Sequence, residues 1–145
     1  MPYSVSKTDV WTAEFEDQVG GLAGKLGPLA GAGVDLEFVI GRRQPHKPGR
    51  GVVFLSGISG AKASKAATAA GLVKAGDLAA LRVEGVNRPG TCHQVTQVLA
   101  DAGINLRGLS ASVIGSRWVV FLAFDSAGDA DKAARLLRAA GGKKR

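Results

Sequence analysis

The sequence predicts an α+β fold of two tandem ferredoxin-like βαββαβ units, each an antiparallel sheet with its helices on one face. Three observations predict it. The chain repeats itself, both halves order their hydrophobic periods as strand-helix-strand-strand-helix, and one strand is apolar on both sides.

The repeat is direct. "VGGLAGKLGPLAGAGVDL" (residues 19–36) lies over "PGTCHQVTQVLADAGINL" (residues 89–106) without a gap, so Gly20 meets Gly90, Leu22 meets Cys92, Gly33 meets Gly103 and Asp35 meets Asn105. Further on, "VVFL" at 52–55 matches "VVFL" at 119–122, and "SKAA" at 64–67 matches "DKAA" at 131–134. The register shifts between these blocks because the first half carries a longer hairpin, "RRQPHKPGR" (residues 42–50). The expected units are residues 1–75 and 76–145.

The elements follow in order. Trp11, Ala13 and Phe15 alternate with Thr12 and Glu14, and Leu81 and Val83 with Arg82 and Glu84, which is the period of a half-buried strand. A helix comes next, with stripes Val19, Leu22, Leu26, Leu29 and Cys92, Val95, Leu99, Ala102, ending at the cap glycines Gly33 and Gly103. In the second half two strands over residues 104–113 and 118–124 turn at "IGSR" (114–117). Asp129 and Asp131 open the last helix and Arg135 and Arg138 sit near its end, which suits the helix dipole. The sequence barely supports a closing strand in either half. In "WVVFLAF" (118–124) both alternating sets are apolar, so the face away from the helices is expected to meet another sheet, in an oligomer and most simply a dimer.

Composition narrows the class. The chain has 145 residues, 46% hydrophobic and 21% charged, which is enough to bury a core. Its formal net charge of +7 is concentrated in the 42–50 hairpin and in "KKR" at 143–145, the bland reading being a solvated loop and a frayed end. A single cysteine allows no internal disulfide and fits a reducing compartment. No signal-peptide pattern opens the chain, and no run reaches the roughly 18 apolar residues of a membrane helix, so a cytoplasmic protein is expected. Two histidines at unrelated spacing, His46 and His93, build no metal site, and no catalytic constellation or phosphate loop stands out. The expectation is a non-enzymatic protein without catalytic residues, metal or cofactor.

The stretch "GVNRPGTCHQVTQVLADAGINL" (85–106) carries the functional signal. Proline suits a first helical turn, where its missing N–H would find no partner. Gly90 allows close approach of a ligand or backbone, and the N–H groups around Thr91 and Cys92 favour an anion such as a carboxylate. Asn87 and Asn105, or Asp35 in the first half, offer acceptors to an ammonium group. Together these suit a zwitterion. The duller reading of each residue is structural: a helix start, a cap, and Cys92 as a small core residue beside Val95 and Leu99. Trp11 and Trp118 read as packing.

The same residues resemble the Asp-Arg-Pro-Gly turn, amphipathic helix and Gly-Ile-Asn strand start of the ACT domain, a small regulatory module of amino-acid metabolism. The resemblance runs over nearly the whole chain as two copies, with Asn87 in place of the usual aspartate and a first copy, "EDQVGGL" (16–22), that lacks the proline. It implies sheets paired side by side and an amino acid or similar effector bound between two copies. By position it implies contacts from Asn87, Arg88, Gly90, Thr91, Cys92 and Asn105, and from Gln18, Gly20, Gly21, Leu22 and Asp35. It further implies a sensor, a homodimer, that passes its state to a regulated protein partner. Two other classes stay open. One is a basic nucleic-acid binder, against which the strands offer no exposed aromatic pair for base stacking. The other is a dimerisation module whose ligand site has decayed.

Overall fold

A computed structural model of the chain describes residues 3–141. They form two compact units: Asp9–Ala75, called here the first unit, and residues 3–8 together with 76–141, the second.

The first unit runs β1 (Trp11–Glu16), α1 (Gly21–Gly31), β2 (Phe38–Arg43), β3 (Arg50–Ser56), α2 (Ala61–Ala69) and β4 (Val73–Lys74). Its antiparallel sheet has the order β2-β3-β1-β4. Ala13, Val53 and Leu55 face Leu29, Ala67 and Leu72 in a small core. The second unit runs β5 (Ala79–Val86), α3 (Thr91–Asp101), β6 (Gly108–Ile114), β7 (Arg117–Phe124) and α4 (Ala127–Gly141). Its core is larger, with Leu81, Val83, Val95, Leu99, Phe124 and Leu137 among its buried residues.

The closing strand of the second unit is β0 (Ser4–Thr8), from the start of the chain. It pairs antiparallel with β5, Ser4 opposite Glu84 and Thr8 opposite Ala80, giving the order β0-β5-β7-β6. It thus takes beside β5 the place that β4 takes beside β1. The expected division, 1–75 and 76–145, counts residues 3–8 with the first unit, whereas here they pair with the second: "SVSKT" has one large apolar residue and too little alternation to announce a strand, while the free edge of β5 supplies the pairing.

Two stripe positions also differ from expectation. Val19 is fully exposed because α1 begins only at Gly21 and leaves it in the preceding turn. Cys92 is exposed in the first turn of α3, so the buried stripe there is Val95 and Leu99. On β7, Trp118, Val120, Leu122 and Phe124 are buried against the helices, and Val119, Phe121 and Ala123 are half-buried on the other side.

Candidate functional site

The bend before α3 is built by backbone. The Asn87 N–H donates to the Ser116 carbonyl at 2.8 Å, which ties the turn to the β6–β7 hairpin. Gly90 caps the helix at φ 83°, a left-handed conformation that glycine adopts without strain. Thr91 donates both its N–H (3.3 Å) and its Oγ1 hydroxyl (2.8 Å) to the Arg88 carbonyl. Its amide is therefore spent on the turn, while the N–H groups of Cys92 and His93 lie in the first turn, where a helix offers them no carbonyl.

Between this turn and the edge strand β6 lies a cleft of about 270 Å³. Asn87, Arg88, Gly90, Thr91 and Cys92 come together at it, and Val95, Ala111, Val113, Trp118 and Val120 form its apolar wall. The Trp118 indole donates its N–H to the Val86 carbonyl at 2.9 Å, which leaves the ring an apolar surface. A second cleft of about 420 Å³ is lined by Tyr3, Gln94, Gln97 and Gly141 and by Arg88 and Thr91, which border both. The wall residues escaped the sequence reading, although the inward positions of the β6 and β7 alternation, Ala111, Val113, Trp118 and Val120, were there to be read.

Asn105 is not brought to this cleft. It is exposed beyond the far end of α3, an eleven-residue helix, and so lies about 15 Å along the axis from Asn87. Within one unit the two asparagines cannot hold the same ammonium group. Asp35 is likewise exposed past the far end of α1.

The first unit repeats the bend and fills it. Gly20 sits at φ 81°, and the Gly21 N–H donates to the Gln18 carbonyl at 3.0 Å. Sequence repeat and strand register make Asp17 equivalent to Asn87, Leu22 to Cys92, Gly41 to Ala111 and Arg43 to Val113. The Leu22 side chain lies over Gly41, where an added Cβ would be 3.0 Å from its Cδ2. Arg43 Nε donates to Asp17 Oδ2 at 2.6 Å, joining turn to edge strand. Gln18, Gly20 and Gly21 border a different hollow, lined also by Glu14, Glu16, Lys25 and Arg50.

Three of the four permanent cations of the basic hairpin, Arg43, Lys47 and Arg50, pair with the two carboxylates Asp17 and Glu14 of their own unit. Lys47 and Arg50 reach Glu14 at 2.7 and 3.3 Å, and these two hydrogen bonds, Lys47 first, hold the Glu14 carboxyl below its ordinary range. The Lys143 to Arg145 tail lies outside the described residues. Among the described residues no three His, Cys, Asp or Glu side chains gather to hold a metal, and no helix is long and apolar enough to cross a membrane.

The ACT domain family matches residues 79–141. No curated protein matches the chain by sequence. Among solved structures it is similar to the ligand-free regulatory subunit of aspartate kinase from Thermus thermophilus, with 18% identity over 97% of each chain and a TM-score of 0.66. A protein from Bacteroides thetaiotaomicron aligns at 15% identity and TM-score 0.71, over 90% of this chain and 88% of that one. The aspartate kinase of Clostridium acetobutylicum, described as an allosteric enzyme, aligns at 15% identity and TM-score 0.63, over 98% of this chain but 34% of its own. At such identities the likeness is one of fold. Residues 79–141 thus match the ACT domain family in sequence, and the first unit repeats their ferredoxin-like fold.

Proposed function

We propose that this chain is a non-enzymatic regulatory protein that binds an amino acid at the bend before α3 and passes its state to a partner protein in the cytoplasm. The observation that carries the reading is the 270 Å³ cleft, where Arg88 and the first-turn N–H groups of Cys92 and His93 stand beside an apolar wall. A carboxylate suits the cation and amides, and the Asn87 side-chain carbonyl suits an ammonium group. Support also comes from the ACT domain match and from fold neighbours that are regulatory subunits of aspartate kinase.

A homodimer belongs to the same reading. Strand β6 is a sheet edge, and Leu109, Val113 and Ile114 along it are exposed, Ile114 by 74%. Antiparallel pairing of two such edges would set the start of one β6, near Asn105, beside the end of the other, near Asn87. That is how the two asparagines could serve one effector. The nucleic-acid reading loses ground because Arg43, Lys47 and Arg50 are engaged by Asp17 and Glu14.

Thermal unfolding of the full chain against each of the twenty amino acids tests the proposal. A ligand at about 100 times its Kd adds roughly 2.7 kcal/mol of stability, a shift easily read. Failure of every amino acid to move the transition would sink the sensor and leave a dimerisation module.

A further inference from the structure

Resting on the sensor reading, the geometry points to one effector per chain, held only in the second unit, and to an α-amino acid with an apolar side chain.

The restriction to the second unit comes from comparing equivalent positions. In the first unit Leu22 covers Gly41 and the Arg43–Asp17 pair, at 2.6 Å, spans from edge strand to turn. In the second unit all four positions change together. Cys92 replaces Leu22 and is smaller by two side-chain heavy atoms, Val113 replaces Arg43 and cannot pair, and Asn87 replaces Asp17 and carries no charge to be neutralised. Ala111 replaces Gly41 and so gives the wall a methyl group. The first unit has filled from within the space that the second keeps open beside Cys92 and Val113.

The side-chain class comes from the lining. Of the cleft's residues Arg88 is the permanent cation and none is a carboxylate. An effector with a second ammonium group, such as lysine, would find no anion there, and burying that charge unpaired is costly. A second carboxylate would compete with the first for Arg88. Val95 and Val120 are essentially buried, and Trp118, with its N–H committed to Val86, is 6% exposed. An aliphatic or aromatic side chain loses water against that wall and leaves no polar group stranded. The volume of about 270 Å³, small for a ligand pocket, suits one amino acid.

Isothermal calorimetry on the full chain tests this, with valine, leucine and phenylalanine against lysine, threonine and aspartate. The expected result is binding of an apolar member at one site per chain. Cys92→Leu, which installs the residue of the first unit, should weaken it by about tenfold or more while the far-ultraviolet spectrum is unchanged. Val113→Arg provides an independent block should Cys92→Leu perturb folding, and it too should weaken binding. Two sites per chain, or affinity untouched by both variants, would overturn the assignment to the second unit. Tighter binding of lysine, threonine or aspartate, abolished by the same variants, would overturn the side-chain class and leave the sensor standing. No binding of any amino acid overturns both.

Discussion

Tyr3 meets Trp118 edge-on, with ring centroids 5.2 Å apart and planes 80° apart. The contact joins the start of the chain to its last hairpin, and two glycines make room for it. A Cβ at Gly85 would lie 3.3 Å from Tyr3 Cδ1, and one at Gly141 would run into the Tyr3 backbone. The same Trp118 lines the candidate cleft, so the N-terminal segment braces the wall of the site.

Tyr3→Ala is therefore expected to destabilise the second unit. Loss of an edge-on aromatic pair and its half-buried ring should cost about 1–3 kcal/mol. Urea unfolding, followed by Trp118 fluorescence in a Trp11→Phe background, reads the change. An unchanged midpoint would mean that β0 is held without the Tyr3 ring, by its pairing with β5 and its contacts to α4.

The two sheets solve one packing problem in opposite senses. Phe15 on β1 stands opposite Gly51 on β3, whereas Gly85 on β5 stands opposite Trp118 on β7, so aromatic and glycine have exchanged strands. The fit is tighter in the first unit, where a Cβ at Gly51 would enter the Phe15 ring, 2.6 Å from Cε2, while one at Gly85 would lie 3.2 Å from Trp118 Cζ2. Gly51→Ala should accordingly cost about 2 kcal/mol and Gly85→Ala about half as much. Denaturant midpoints of the two variants decide it, and equal losses would show that Phe15 swings aside freely.

How much of this was legible follows from the kind of signal each feature leaves. The repeat, the amphipathic helices and the β7 alternation are dense apolar patterns, and they led directly to two α+β units. Strand β0 was invisible because Val5 is its one large apolar residue and because a strand that completes a sheet some 75 residues away leaves no local trace. The bend at Asn87 to Cys92 was read from Pro-Gly chemistry. Its partners Val113 and Trp118 were seen only as strand residues, since which inward position borders a cleft depends on where α3 begins. Cys92 was misplaced by one turn for the same reason: periodicity fixes a stripe's direction but not where the sheet beneath it stops.

The strand that the sequence hid is clasped by an exposed ion pair whose titration can be followed. Lys7 Nζ on β0 lies 2.5 Å from Asp131 Oδ1 on α4, and this hydrogen bond, with the charge attraction of Lys7 behind it, holds the Asp131 carboxyl below its ordinary range. A carboxyl lowered on folding gives stability that is complete above the unfolded value, about 4, and is lost as pH falls through the folded one. Both side chains are well exposed, 68% and 47%, so salt should weaken the effect. The expected result is an Asp131 titration midpoint, read by carboxyl-carbon NMR, that lies below that of an unpaired aspartate at low salt. Lys7→Met should raise it towards the ordinary range and make the acid unfolding of the second unit less steep. A midpoint indifferent to Lys7→Met would mean that the clasp does not persist in solution, and that β0 is held by its ladder, by Tyr3 and by the Arg138 guanidinium on the Val5 carbonyl.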